Sequence, residues 1–209
     1  MTDSKNKYSF DPSELTSEKS LWDVYKLSRR LLPGKFQVGV VLLITILLGI
    51  NSFVLSQDAN VILQDVRRWA EMGFSFSITT LGFLITGFTI FATLSKPAMM
   101  LAMMDHTNIE TGLPTLKYNF FAFMKVFIAY IAFAFLFLMV VLLGQKDGML
   151  GNIIDFFPHS SSVKLILIKT FYAIVGGSFV YLLLLLNSFV YNIYSIVMNS
   201  LRWDHQSSP

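Results

Sequence analysis

The chain has 209 residues, 54% of them apolar and 14% charged, with a mean hydropathy of +0.60. A soluble domain of this length is about one-quarter charged, so the composition reads as an integral membrane protein. The absence of cysteine excludes disulfides, iron–sulfur clusters and thiol chemistry, and a net charge of +3 is too small to imply direct nucleic-acid binding.

Residues 1–35 form a polar arm of mixed charge with no early apolar core, which argues against a cleaved signal peptide. Within it, SLWDVYKLSRRLLPGK predicts an amphipathic helix over about residues 20–32. Leu21, Val24, Tyr25 and Leu32 share one face, while Asp23, Lys26, Arg29 and Arg30 fill the other. Ser20 and Asp23 resemble a capping box, and Pro33-Gly34 ends the helix. Such a helix lies on the inner leaflet or simply anchors the first span.

Four charge-poor stretches meet the roughly 20 residues that a spanning helix needs: 36–57, 72–95, 119–143 and 170–199. Lys125, near the start of the third, is placed to snorkel to the surface. The last apolar run continues to Leu201, longer than a bilayer requires, which predicts tilt or projection. Between the spans, 58–71 reads as an outer interfacial segment with Ile62, Val66 and Trp69 at helical spacing and Trp69 at headgroup depth. Residues 96–118 form an inner loop rich in methionine. Residues 144–169 form an outer loop whose apolar patch (Ile153, Ile154, Phe156, Phe157) caps the bundle or dips into the outer leaflet, and 200–209 is a short tail. The expected fold is all-α: an integral membrane protein with four transmembrane helices and short amphipathic interfacial helices. Lys and Arg number eleven on the side of the termini and five on the other, which predicts a multi-pass protein with both termini cytoplasmic. Arg67 and Arg68 sit on the disfavoured side.

The second span carries an ordered stripe. Met72, Ser75, Thr79, Gly82, Thr86, Thr89 and Thr93 alternate spacings of three and four, a period that puts all seven on one helix face. Phe74, Ile78, Leu81, Leu84, Ile85, Phe88 and Phe91 would then face lipid or large neighbours. The fourth span repeats the spacing with Ser178, Tyr181, Leu185, Ser188, Asn192, Ser195 and Asn199; the two amides need hydrogen-bonding partners in hydrocarbon. Small residues let helices approach closely, and Ser, Thr and Asn bond across the seam. The alternative is a water-filled path between protomers, with Thr hydroxyls replacing hydration. Apart from Lys125 no charged side chain lies within a span, which disfavours a pump or a proton-driven transporter.

In the inner loop, Ser95 can cap a helix end and Pro97 suits a first helical turn. Met99, Met100, Met103 and Met104 make a surface able to repack around a partner or to pack against the emerging spans. No phosphate loop, HExxH or zinc spacing is present among the three histidines, and no carboxylate pair lies near a histidine, so no enzyme activity, cofactor or metal is expected. Asp105-His106 alone reads as a solvated turn.

The whole-chain layout, and the stretch LGFLITGFTIFATLSKP from Leu81 to Pro97 in particular, resembles the membrane subunit of the bacterial Kiwa anti-phage defence system. The resemblance implies a homo-oligomer in the bacterial inner membrane that detects phage attack and acts with a soluble cytoplasmic, DNA-binding partner. It supplies no catalytic motif. The residues themselves are compatible with a self-associating sensor or scaffold in the lipid bilayer that signals to a cytoplasmic partner, docked on the methionine face and the Leu21–Leu32 helix. The rival expectation is a small oligomeric ion channel that depolarises the membrane, and a third is an immunity or exclusion protein.

Overall fold

The computed structural model describes residues 9–29, 31, 34–55, 58–109, 111–145, 149–156 and 159–207. Arg30, Leu32, Pro33, Lys146 and Phe157, which figured in the sequence reading, lie outside the described residues. Among the described residues seven α-helices follow in chain order: α1 (Leu21–Ser28), α2 (Lys35–Val54), α3 (Ala59–Leu94), α4 (Pro97–Asp105), α5 (Thr115–Leu143), α6 (Met149–Asp155) and α7 (Ser160–Ser207). Among the described residues no strand forms; one isolated bridge joins Thr107 to Pro114. Helices α2, α3, α5 and α7 are each long and apolar enough to cross a membrane, and the chain is an all-α, multi-pass membrane protein.

Two helices are longer than the apolar runs inside them. The expected interfacial segment 58–71 and the second span form one helix, α3, because no proline or paired glycine interrupts residues 59–94. The second half of the expected outer loop, the fourth span and most of the tail are all α7, which runs on through Gly176-Gly177 for 48 residues, or about 72 Å at 1.5 Å per residue. A helix exceeding the hydrocarbon thickness keeps its backbone hydrogen bonds satisfied whether its ends lie in lipid, headgroups or water.

The chain divides into two compact units. The first comprises residues 1–32, 83–128 and 187–209; the second comprises 33–82 and 129–186.

In the first unit, α1 is capped by Ser20, whose hydroxyl accepts from the Asp23 N–H at 3.2 Å and donates to the Asp23 carboxylate at 2.8 Å. Aspartate is one methylene too short for the usual reach back to the cap backbone, and it pairs with the cap hydroxyl instead. Val24 and Leu27 turn inward onto a cluster of Leu31, Leu113 and Phe121, whereas Leu21 and Trp22 are exposed. The face nearest the core is therefore centred on Val24 and Leu27, not on Leu21. Lys117 fastens the arm: its Nζ reaches the Glu18 carboxylate at 2.7 Å and the Ser17 hydroxyl at 2.7 Å, with both ion-pair side chains largely buried. Lys125 donates from its Nζ to the Leu31 carbonyl of the arm. Pro97 occupies the first turn of α4 as expected, but the cap is Lys96 and Ser95 is buried. Edge-to-face and tilted rings from Phe88, Phe91, Phe120, Phe123, Phe127 and Phe189 fill the centre at centroid separations of 5.2 to 6.3 Å, the geometry that aromatic quadrupoles favour.

In the second unit, α2 seats in a groove of α7. A side chain added at Gly176 would meet Leu48 and Trp69, and one at Gly177 would meet Thr45, so only glycine admits this approach. Polar groups lie along the same contact: Asn51 donates to the Tyr172 hydroxyl at 3.2 Å, and buried Ser52 donates to the Lys169 carbonyl at 3.3 Å. Ile62 and Val66 are buried and the Trp69 and Tyr172 rings meet tilted at 4.6 Å, so this segment packs into the unit. Arg67 donates to the Gly144 carbonyl. Of the outer apolar patch, Ile154 is buried while Ile153 and Phe156 are exposed.

Candidate functional site

Helix α3 presents two faces built on the same period. Ala70, Gly73, Ser77, Thr80, Leu84, Gly87 and Phe91 are all buried, spaced 3, 4, 3, 4, 3, 4. This inward face holds the protomer together. In the second unit, a β-carbon at Gly73 would lie 2.7 Å from the Phe137 ring, and Ser77 returns its hydroxyl to the Gly73 carbonyl at 2.7 Å. In the first unit, a β-carbon at Gly87 would lie 2.8 Å from Ile193 and 3.1 Å from Phe189.

The stripe found by sequence is the other face, roughly 150° around the helix at 100° per residue. Met72, Ser75, Thr79, Gly82, Thr86, Thr89 and Thr93 are exposed without exception. A β-carbon added at Gly82 meets nothing within 4 Å. Thr89 and Thr93 donate their hydroxyl hydrogens to the carbonyls of Ile85 and Thr89, at 2.9 and 3.0 Å. These donors are thus satisfied within the helix, and the stripe offers methyl groups, oxygen lone pairs and a flat small-residue surface. Of the residues expected to face lipid or large neighbours, Leu84 and Phe91 are fully buried, Phe91 against Phe120 and Phe123, while Ile78 and Ile85 are exposed.

The stripe of α7 is disposed differently. In the second unit Ser178 and Leu185 are buried and Tyr181 is half-buried against Phe133 at 5.6 Å. In the first unit Ser188, Asn192 and Ser195 are half-buried and Asn199 is exposed. This stripe is largely used inside the chain, where that of α3 is not.

The methionines of α4 also divide. Met99 and Met104 are buried in the first unit, whereas Met100 and Met103 are half-buried. Among the described residues, no group of three His, Asp or Glu side chains is placed to hold a metal ion.

Sequence reading missed the inward face of α3 and the α2–α7 groove. Both had a signal: Gly73, Ser77, Thr80 and Gly87 keep the same 3.5 period two positions out of phase, and Gly176-Gly177 interrupts a run of large apolar residues. Tyr130 was missed as well; its buried hydroxyl donates to the Leu182 carbonyl at 2.8 Å.

No family model matches this chain, and no curated protein or solved structure is similar to it.

Proposed function

We propose that the chain is a non-enzymatic, self-associating scaffold or sensor of the bacterial inner membrane, with both termini cytoplasmic, that signals to a soluble cytoplasmic partner in anti-phage defence. One observation carries the reading: α3 has a second small-residue face, Met72 to Thr93, that is exposed among the described residues. A helix needs one such face to pack within its protomer; a second at the same 3.5 spacing fits a second copy, at the shallow left-handed crossing this period favours. Self-satisfied Thr hydroxyls favour a dry contact over a hydrated wall. The defence role rests on the resemblance of residues 81–97 to the Kiwa membrane subunit. Half-buried Met100, with exposed Leu21 and Trp22 on α1, is the surface offered to the partner.

The test is purification of the tagged protein from its native host in mild detergent, followed by mass measurement of the intact assembly and identification of its components. The scaffold reading expects several copies of this chain with a stoichiometric nucleic-acid-binding protein. A homo-oligomer without partner that conducts ions in liposomes, with conduction abolished by Thr86→Leu or Thr89→Leu, would transfer the assignment to the channel.

A further inference from the structure

The first unit carries an open-sided cavity of about 260 Å³ between α4, the start of α5 and the last turns of α7. Its lining combines apolar Met99, Met103 and Ile196 with polar Asn199, Arg202 and Gln206, and includes Trp203. No carboxylate lines the cavity. The nearest acids along the chain are engaged elsewhere: Asp105 accepts from the Ser9 N–H and hydroxyl, both at 2.9 Å, and Asp204 pairs with Lys96 at 3.0 Å. Arg202 makes no ion pair or hydrogen bond among the described residues, and its guanidinium is a planar donor fork free to take an oxyanion.

Three further features place the cavity at headgroup level. The charge-free run of α7 stops at Arg202, that of α3 stops at Lys96, and α5 opens with Lys117, ahead of Lys125, all within this unit. Charged residues flanking apolar runs, with a tryptophan among them, mark the boundary between hydrocarbon and headgroups. The volume falls short of the 300–1,000 Å³ or so of a pocket that swallows a whole small molecule, but it suits a headgroup whose chains run outside.

We infer that the cavity binds the headgroup of an anionic glycerophospholipid. The phosphate pairs with Arg202 and takes hydrogen bonds from the Asn199 and Gln206 amides, while the acyl chains leave along Met99, Met103 and Ile196. The wall also sets the headgroup class. A zwitterionic lipid would bring an ammonium to a site with no carboxylate to receive it, whereas phosphatidylglycerol brings only hydroxyls, which the amides can bond. This site is independent of the scaffold reading, since it lies on α4, α5 and α7 and uses none of the α3 stripe.

The test is native mass spectrometry of the full chain in a neutral detergent, titrated with phosphatidylglycerol, phosphatidylethanolamine or phosphatidylcholine. One phosphatidylglycerol per protomer should bind above the level of the other two lipids. Arg202→Gln should weaken it about tenfold or more, the loss expected for a charge-assisted contact, and Arg202→Lys should recover part of it. Gln206→Glu, which introduces a carboxylate in nearly the same volume, should weaken it similarly, while Arg68→Gln in the other unit should not. Equal binding of the three lipids, or wild-type affinity in both Arg202→Gln and Gln206→Glu, would overturn the site. Displacement of the lipid by equimolar glycerol 3-phosphate would overturn the lipid assignment in favour of a soluble phosphate ester.

Discussion

Replacing Gly82 with leucine tests protomer stability and the proposed self-association separately. Nothing lies within 4 Å of a β-carbon at this position, so the folded protomer should accept the larger side chain without strain. The helix itself should gain, since glycine is about 1 kcal/mol poorer than other residues in a helix interior. Across a seam with a second copy the sign reverses. Small residues allow close approach of the two helix backbones, and forcing extra side-chain volume into packed contact costs about 1–3 kcal/mol. That corresponds to association weakened by about 5- to 150-fold. Gly73→Ala is the converse control: its β-carbon would sit 2.7 Å from the Phe137 ring, so it should lower protomer stability by a similar amount while leaving self-association alone. The assay is fluorescence energy transfer between labelled copies in liposomes across a dilution series, read beside thermal unfolding of each variant. Wild-type association of Gly82→Leu over the whole series would refute the seam and leave the stripe as ordinary lipid-facing surface.

Other consequences are more local. Burial pushes the Glu18 carboxyl up, but hydrogen bonds from Lys117 and Ser17 and the Lys117 charge outweigh it and hold the group below its ordinary value of 4.5. A lowered folded-state pKa contributes stability that is complete above 4.5 and is lost as pH falls through the lower folded value. Hydrogen exchange in residues 9–28 should therefore accelerate on acidification below pH 4.5, and Lys117→Met should produce the same release at neutral pH, at a cost of about 1.5–3 kcal/mol. If that variant keeps wild-type protection, the ion pair does not hold the arm. Tyr130→Phe removes the donor to the Leu182 carbonyl without changing shape, and should lower unfolding free energy in detergent by about 0.6–1.7 kcal/mol; an unchanged value would mean that the carbonyl finds another partner. Met100→Asp should release the soluble partner in a pull-down while the homo-oligomer persists, and retained partner would move the docking surface elsewhere.

Much of this protein is legible without coordinates, because the bilayer imposes one-dimensional rules. Every spanning backbone group must be bonded within its own helix, so charge-free length alone locates α2, α3, α5 and α7 and excludes sheets. The Ser20 cap and Pro97 at a helix start follow equally from local chemistry. Periodicity also finds the outward stripe of α3, since 3.5-residue spacing is a property of the chain. What spacing cannot decide is the direction in which a face points. Helix α3 carries two faces of equal period, and only packing against Phe137, Phe189 and Ile193 makes the Gly73–Phe91 face internal and leaves the Met72–Thr93 face exposed. The same limit hid the pairing of α2 with Gly176-Gly177 and the tethers from Lys117 and Lys125 to the arm, which join residues about 100 positions apart. Helix formation is decided by neighbours three and four residues away, whereas burial is decided by partners that only the folded chain brings together.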